Sequence, residues 1–299
     1  MLLTRTLPPG YRLPDVLAFH RRDRESIAER VGPTSLAKGL LLEGVPVVLA
    51  LQFEAGLASC TVLADGALPD DAPARLGLAL DGMLGLRIDP QPFTTLYTND
   101  TLLGTLVRAQ PGLRIVQSAT VFEALTWAII GQQINLPFAI ALRRSFIQQA
   151  GRQHSSGLWC YPDAADAARL DADSLTSRKF SRAKADTVLR LAQLVDNGAL
   201  DLDLHGPRYS GDVGALSAAL LAVKGIGPWT VNYALLRGYA HADCSLHGDV
   251  AIRAALQRLL GEAAKPDLRR TETLLAAYHP HRTMAAAHLW ASLMPAVTE

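Results

Sequence analysis

The sequence predicts an α+β fold that is mostly α, with a small antiparallel sheet near the N-terminus. Two observations predict it. Short apolar runs bounded by glycine occupy residues 34–66, a pattern typical of half-buried strands. From Phe93 onward, apolar residues recur instead at helical spacing. We therefore expect an α+β domain over residues 1–89 and a helical domain over residues 90–299.

The N-terminal domain is predicted to hold three strands between two helices. The helices are expected at Leu13–His20 and Ala72–Leu84, and Asp89-Pro90 marks the end of the domain. Turn residues separate the strands from one another. The predicted strands are Leu40–Leu42, Val47–Leu51 and Ala58–Leu63.

The helical domain contains no stretch with strand character, so we expect no sheet after Phe93. Polar connectors such as residues 151–157 separate its short helices, as in a compact α domain. The predicted helices are Thr101–Val107, Thr120–Gly131, Pro137–Gln149, Ala164–Leu170, Arg182–Val195, Ser217–Lys224, Thr230–Leu236, Val250–Leu260 and Thr283–Leu293.

A glycine hairpin is the most informative part of the helical domain. The segment Gly225–Pro228 (Gly-Ile-Gly-Pro) joins two helices, and its proline suits the first helical position. Glycine at 225 and 227 can take positive φ and lets another backbone approach closely. The second helix then presents free N–H groups, which bind a phosphate and read no base. An ordinary tight turn between two helices explains the same residues, so this interpretation stays open.

Asp249 is the strongest candidate for a catalytic group. It opens a helix whose apolar face contains Ile252 and Leu256. Its carboxylate therefore lies in the first turn, where the helix dipole stabilises an anion. An acidic residue at this position also serves as a simple helix cap, and the sequence leaves both roles open.

Three further features allow a structural and a functional interpretation. Trp229 and Tyr233 lie four residues apart, so their rings share one helix face, in a core or in a ligand pocket. Gln132 and Gln133 end an apolar helix, as a solvated helix end or as part of a binding site. The polar run at residues 177–184, with its four basic residues, is a solvated face or a clamp for phosphates.

The composition limits the classes of protein that the chain can belong to. A net charge of +1 gives no overall basic signal, so a nucleic-acid partner must be argued from local features. No apolar run approaches the length of a membrane span, so a cytoplasmic protein is expected. Cys60, Cys160 and Cys244 have no paired spacing, so we expect neither a disulfide framework nor a thiolate-held metal.

Together these features resemble the helix-hairpin-helix DNA glycosylase superfamily, and within it the bacterial 3-methyladenine DNA glycosylases of type II. The resemblance covers nearly the whole chain and rests on four separate blocks in the order that the family has them. The blocks are Phe122-Glu123 with Ala128–Gln133, Gly225–Tyr233 with Leu235, Arg237 and Gly238, Leu246–Asp249, and Arg282 with His288–Trp290. The implied fold is an antiparallel sheet domain packed on two helical lobes, with the active cleft between the lobes.

The resemblance also implies which residues line that cleft. Asp249 takes the position of the catalytic aspartate, and neighbouring Asp243 does not. Gln133 lies on the loop that fills the gap left by a flipped nucleotide. The family has leucine there, so we expect a polar plug instead of an apolar wedge. The residues implied for the base pocket are Trp229, Tyr233, Trp290 and Gln132.

Contacts with the DNA backbone are implied for the hairpin. The residues concerned are Gly225, Gly227, Lys224 and Thr230. Relatives also bind K⁺ or Na⁺ through hairpin carbonyls, and the ion bridges to a DNA phosphate. The corresponding carbonyls here belong to Leu221, Val223 and Ile226. No cofactor is required by the implied chemistry.

The implied function is that of a monofunctional, monomeric DNA glycosylase. It would flip alkylated purines such as 3-methyladenine or 7-methylguanine out of double-stranded DNA and hydrolyse their N-glycosidic bond. Relatives that also cut the strand have a nucleophilic lysine where this chain has Trp229, so no lyase activity is expected. Two alternatives stay open: a glycosylase for another lesion on the same scaffold, and a non-catalytic helix-hairpin-helix DNA-binding protein.

Overall fold

A computed structural model describes residues 1–202 and 211–294 of the chain. It confirms an α+β fold that is mostly helical. Strands β3, β4 and β5 correspond to the three predicted strands, whereas the shorter ones were not expected. The strands in the described residues are β1 (Leu2–Thr6), β2 (Glu29–Val31), β3 (Ser35–Leu42), β4 (Val45–Glu54), β5 (Leu57–Ala64), β6 (Arg152–Gln153) and β7 (Trp159–Tyr161).

All of these strands belong to one sheet. Its order is β1-β5-β4-β3-β7-β6, and β2 pairs with the first half of β3. Neighbouring strands are antiparallel, except that β7 runs parallel to β3, with Gly39 opposite Cys160. The sheet is thus an antiparallel meander that is extended at one edge by a hairpin from much later in the chain.

The expectation of no sheet after Phe93 is wrong, because β6 and β7 join the sheet. Two or three residues are too few to show the alternation that identifies a strand. The pairing instead depends on Gly39, where a Cβ atom would lie 2.2 Å from the carbonyl oxygen of Trp159. The sheet therefore contains segments from both sides of the predicted boundary at residue 89.

The helices follow the predicted order, with additions. Helices α3, α8 and α13 were not predicted. Helix α10 begins earlier than expected, because the Asp212 carboxylate accepts the N–H of Ala215 at 3.0 Å and caps it. The described helices are α1 (Leu13–His20), α2 (Ala72–Met83), α3 (Gln91–Tyr97), α4 (Gly104–Ala109), α5 (Val121–Gly131), α6 (Leu136–Ala150), α7 (Ala164–Ala168), α8 (Ala172–Thr176), α9 (Arg182–Asp196), α10 (Val213–Leu221), α11 (Pro228–Arg237), α12 (Val250–Leu260), α13 (Leu268–Ala276) and α14 (Arg282–Ala291).

Two apolar cores hold these elements together. One lies between the sheet and α2 and includes Leu49 and Leu80, and the other fills the helical part around α5. Nine of the eleven residues of α5 are buried, so this helix is surrounded by protein on all sides. Cys60, Cys160 and Cys244 are free and buried. No helix within residues 1–202 or 211–294 has the length and apolarity needed to cross a membrane.

Four charged side chains are buried where the sheet meets the helices, and we call them the ion cluster. Lys38 on β3, Glu29 on β2, Glu123 on α5 and Arg143 on α6 are each at most 8% exposed. The Lys38 Nζ atom lies 2.7 Å from Oε1 of both glutamates, and Arg143 Nη2 lies 2.9 Å from the same two atoms. Two cations thus neutralise two carboxylates by direct contact.

The pKa values in the ion cluster reflect this mutual compensation. Burial alone would raise the pKa of Glu29 and Glu123, but the charges of Arg143 and Lys38 lower both. The two glutamates in turn raise the pKa of Arg143, although its burial acts in the opposite direction. The cluster therefore keeps its charges and fixes α5 and α6 against the sheet.

We predict that Glu123→Gln lowers the free energy of unfolding by about 3–5 kcal/mol, because it leaves an uncompensated buried cation. Urea unfolding at neutral pH measures this loss. The folded-state pKa of Glu123 is lowered, so its contribution is present above its unfolded pKa of roughly 4.3 and is lost as the pH falls below it. The difference between variant and wild type should therefore shrink from about pH 5 downward.

The matched control is Arg169→Gln, which breaks an ion pair with Asp166 whose arginine is largely exposed. We expect this change to cost less than about 1 kcal/mol. Equal losses for the two variants would contradict the role assigned to the ion cluster.

Candidate active site

Asp249 caps the N-terminus of α12. Its Oδ1 atom accepts the backbone N–H groups of Ala251 at 2.9 Å and Ile252 at 3.0 Å. Its own backbone is extended, as is usual for an N-cap residue. The capping role that the sequence left open is therefore present, and it fixes the orientation of the carboxylate.

Two indole N–H groups bind the same carboxylate. Trp229 Nε1 donates to Oδ2 of Asp249 at 2.9 Å, and Trp290 Nε1 donates to Oδ1 at 3.2 Å. Oδ1 thus accepts three hydrogen bonds from protein, whereas Oδ2 accepts one and keeps acceptor capacity. Because the side chain is only partly buried, Oδ2 can oppose a positive charge or accept a proton from water.

Three aromatic rings stand beside this carboxylate. The Trp229 and Tyr233 rings are 5.3 Å apart between centroids, and the Tyr233 and Trp290 rings are 6.3 Å apart. Tyr233 is mostly buried, and its hydroxyl accepts a hydrogen bond from Trp127 Nε1 at 2.9 Å. The structure therefore brings together three of the four residues predicted for the base pocket, around the predicted catalytic aspartate.

An ion pair at the start of α14 positions Trp290. Arg282 donates to both carboxylate oxygens of Asp243, from Nε at 2.6 Å and from Nη2 at 2.7 Å, and His279 Nδ1 lies 2.7 Å from Oδ2. Partial burial would raise the pKa of Asp243, but these hydrogen bonds lower it to about 2. Asp243 is thus engaged in holding α14 and differs in role from Asp249.

Gly225 is required by the shape of the hairpin. Its φ of +98° lies in the region that favours glycine, and a Cβ atom there would lie 2.0 Å from Oγ1 of Thr187. Thr187 cannot easily turn away, because its hydroxyl donates to the carbonyl of Ala183 at 2.7 Å. The hairpin therefore packs on α9 through a position that only glycine can fill.

Gly227 does not use the positive φ that a glycine can take. Its φ is −111°, it is the N-cap residue of α11, and a Cβ atom there would meet nothing within 4 Å. No side chain caps α11, so the N–H groups of Trp229 and Thr230 are left for an external acceptor. The open space at Gly227 would let a phosphate reach them, beside the exposed Lys224.

Gln132 ties the end of α5 to the hairpin. Its Nε2 atom donates to the carbonyl of Gly225 at 3.1 Å and to Oγ1 of Thr230 at 2.9 Å. Thr230 is only 2% exposed, so its hydroxyl faces the protein. The amide of Gln132, predicted to line the base pocket, is engaged here with the hairpin.

Gln133 occupies the turn between α5 and α6. It has a φ of +56° and an exposed side chain. Leu136 and Phe138, just beyond it, are exposed apolar residues at 50% and 37%. Gln133 is therefore available for the predicted plug, within a surface that also offers apolar contacts.

The carbonyls predicted to bind K⁺ or Na⁺ lie at a suitable helix end. Leu221 ends α10, where the helix dipole favours a cation, and Val223 follows in the hairpin. The Val223 carbonyl accepts the N–H of Ile226 at 3.0 Å and keeps a second lone pair. No cluster of three acidic, histidine or cysteine side chains suited to a metal occurs among the described residues. Backbone oxygens fit an alkali cation, so this site stays a prediction.

The polar run at residues 177–184 is partly engaged within the protein. Arg182 pairs with Asp173 at 2.7 Å, and Lys184 donates to the carbonyl of Ile130 at 2.6 Å. Partial burial lowers the pKa of Lys184. Arg178 and Lys179 are exposed, so a phosphate can reach both side chains.

Several residues around the pocket were not predicted from the sequence to belong to the site. Phe19 on α1 lies behind the pocket, and the guanidinium groups of Arg22 and Arg237 stack on its ring at 3.6 Å and 4.9 Å. Trp127 on α5 holds the Tyr233 hydroxyl. Only Arg237 had a local signal, since it follows Tyr233 by four residues on the same helix. The others come from distant segments that no local pattern connects.

The chain matches a known protein family and is similar in sequence to two relatives. Residues 126–280, over half of the chain, match the family model described as HhH-GPD superfamily base excision DNA repair protein. The DNA-3-methyladenine glycosylase of Bacillus subtilis is 28% identical over 205 residues, covering 68% of this chain and 67% of that protein. DNA-3-methyladenine glycosylase 2 of Escherichia coli is 30% identical over 190 residues, 63% of each protein.

The fold also resembles a solved structure along nearly its whole length. The 3-methyladenine DNA glycosylase from Archaeoglobus fulgidus superposes with a TM-score of 0.80, and the match covers 97% of each chain. At 18% sequence identity, this likeness shows a shared fold. The sheet and the helical part are therefore both features of that fold.

We predict that the two hairpin glycines respond differently to alanine. Gly225→Ala should cost roughly 1–3 kcal/mol of unfolding free energy, because the new Cβ atom meets Thr187 at an unfavourable φ. Gly227→Ala should cost less than about 1 kcal/mol but should weaken binding to intact and damaged duplexes alike. Urea unfolding and fluorescence anisotropy measure the two effects. Loss of affinity for lesion-bearing DNA only would contradict a backbone role for the hairpin.

Proposed function

The chain belongs to the HhH-GPD superfamily of base excision DNA repair proteins, and from this membership we propose that it is a monofunctional DNA glycosylase for alkylated purines. Its partner is DNA, and it hydrolyses an N-glycosidic bond to leave an abasic site. The observation that carries the proposal is the Asp249 carboxylate, held by two indole N–H groups beside three aromatic rings.

The choice of substrate rests on the relatives and on the pocket. The Bacillus subtilis and Escherichia coli relatives are both named as DNA-3-methyladenine glycosylases. A base must leave the duplex to reach Asp249, and alkylated or mispaired bases cost less to unstack. Once extruded, a purine can stack on Trp229 or Trp290, whose rings are more exposed than that of Tyr233.

The chemistry requires little beyond one fixed anion. An N-alkylated purine carries positive charge and is already a good leaving group, so no acid is needed at the base. As the glycosidic bond breaks, the sugar acquires oxocarbenium character. Oδ2 of Asp249 would stabilise that charge and orient the water that adds at the anomeric carbon. The three bonds to Oδ1 hold the carboxylate in place without occupying Oδ2.

The absence of a nucleophilic amine at residue 229 supports a hydrolase without lyase activity. A Schiff base with the sugar would need a lysine at this position. Trp229 instead uses its side chain to bind Asp249. Water is then the nucleophile, and the DNA strand stays intact after the base is released.

The hairpin supplies binding without selectivity. The uncapped N-terminus of α11 would bind a phosphate through the N–H groups of Trp229 and Thr230, with Lys224 close in sequence. An alkali cation on the carbonyls of Leu221, Val223 and Ile226 would add a bridge to the same strand. The chain would act as a monomer, with Gln133 filling the gap in the duplex.

A glycosylase for another lesion would use the same machinery, and only the pocket would differ. A non-catalytic DNA-binding protein is disfavoured, because it would need neither the remaining acceptor capacity of Asp249 Oδ2 nor an aromatic pocket beside it. Incubating the protein with methylated duplex DNA and identifying released bases by mass spectrometry separates these possibilities. Release of no base would contradict the proposed function.

We predict that Asp249→Asn reduces base excision on the order of a hundredfold or more, since it removes the charge and keeps the shape. The amide oxygen can still cap α12, so the fold and binding to damaged DNA should be retained. Single-turnover release of 7-methylguanine measures the loss. The matched control is Asp267→Asn, which alters the aspartate cap of α13 and should leave excision unchanged. Near-normal release by a folded Asp249→Asn variant would rule out this mechanism.

The product should be an alkali-labile abasic site in an unbroken strand. We expect no covalent complex after borohydride reduction, because Trp229 cannot form a Schiff base. Denaturing electrophoresis with and without alkali tests both statements. A borohydride-trapped adduct at any lysine, such as Lys224, would show lyase chemistry and overturn the monofunctional assignment.

A further inference from the structure

Arg237 lies at one end of a row of side chains on α11. Trp229, Tyr233 and Arg237 are spaced by four residues, so they follow one another along one helix face. The Trp229 and Tyr233 rings are 5.3 Å apart, and the guanidinium carbon of Arg237 lies 5.9 Å from the Tyr233 centroid. The family motif around Leu235–Gly238 contains this arginine, and the catalytic chemistry gives it no role.

The guanidinium also reaches the other side of the pocket. Its central carbon lies 5.4 Å from the Trp290 ring and 4.9 Å from the Phe19 ring. Arg237 thus contacts two of the three rings that stand beside Asp249, in addition to Phe19 behind them. Any change in its charge acts on the pocket directly.

Arg237 carries its charge without a carboxylate partner. Its Nη1 atom donates to the carbonyl of Val116, and its Nε atom is buried without a hydrogen-bond partner. Within residues 1–202 and 211–294, Arg237 forms no ion pair, in contrast to Arg282 and Arg143. A cation surrounded by aromatic rings and lacking a counterion is poorly screened, so its field extends into the pocket.

We propose that Arg237 is a specificity-determining residue that limits the preference of the base pocket for cationic over neutral damaged purines. The proposal rests on the proposed glycosylase function. An aromatic ring attracts a cation through the negative potential of its face. On Tyr233 and Trp290 that potential is already engaged by the guanidinium, which also repels a second positive charge. A cationic base therefore gains less from these rings than it would without Arg237, whereas a neutral base loses little.

The test is a ratio of two rates measured on one protein sample. Duplexes of identical sequence carry either 7-methylguanine, which is cationic, or hypoxanthine, which is neutral. Single-turnover excision gives a rate for each, and their quotient is the charge preference. Because an unfolded fraction lowers both rates equally, the quotient does not depend on how much of a variant is folded.

Arg237→Gln should raise the quotient of cationic over neutral excision on the order of tenfold, the effect of one well-placed cation on a ring. Arg237→Met, which keeps a long apolar side chain, should do the same and serves where the glutamine variant folds poorly. Arg237→Lys keeps the positive charge but places it on a more compact group, so its quotient should stay closer to that of the wild type than to that of Arg237→Gln.

Arg22→Gln is the matched control. Arg22 stacks at 3.6 Å on Phe19 and at 5.4 Å on Trp127, and it makes no ring contact with Trp229, Tyr233 or Trp290. Its charge acts on Tyr233 and Arg237 only from outside these ring contacts, so its removal should change the quotient less than removal of Arg237. An unchanged or lower quotient in both neutral variants of Arg237, or an equal rise in Arg22→Gln, would overturn the assignment. Failure of the wild type to release either base would instead contradict the proposed function.

Discussion

The arrangement of this protein depends on the ion cluster between the sheet and the helices. Lys38 and Glu29 belong to the sheet, and Glu123 and Arg143 to α5 and α6. Burying four charges is costly, and their mutual attraction offsets the cost only when all four are in place. The cluster therefore favours a single docking geometry over the many that apolar packing alone would allow. Because Glu123 stands in the first turn of α5, the helix enters the helical part from a fixed point.

Helix α5 connects the ion cluster to the active site. Its start is fixed by the ion cluster, Trp127 in its middle holds the Tyr233 hydroxyl, and Gln132 at its end holds the hairpin. The hairpin then begins α11, which brings Trp229 to Asp249. A buried helix with nine of eleven residues enclosed is a stiff connection between these points. The pocket is thus organised before any DNA arrives, as electrostatic catalysis requires.

Features of the fold and the site that have a local signal are predictable from the sequence. Asp249 was predicted because it stands before an apolar helix. The hairpin was predicted from its two glycines, and Gly225 does have a positive φ. Contacts between segments that are far apart in the chain have no local sequence pattern that predicts them. The pairing of β7 depends on the missing side chain of Gly39, and the bond from Trp290 to Asp249 spans 41 residues. Apolar periodicity indicates which face of a helix or strand is buried. It does not indicate which other segment packs against that face.

The two oxygens of Asp249 have separate duties, and this has a consequence for comparing related proteins. Oδ1 accepts the N–H groups at the start of α12, whereas Oδ2 accepts only the Trp229 indole and is the oxygen that we propose for catalysis. A descendant that had given up catalysis would still need an acceptor at this helix end, so selection for folding alone would preserve the aspartate. Its presence is therefore weak evidence that a homologue is active. The indole donors at Trp229 and Trp290 serve no helix end, so their loss would be the earlier sign of an inactive descendant.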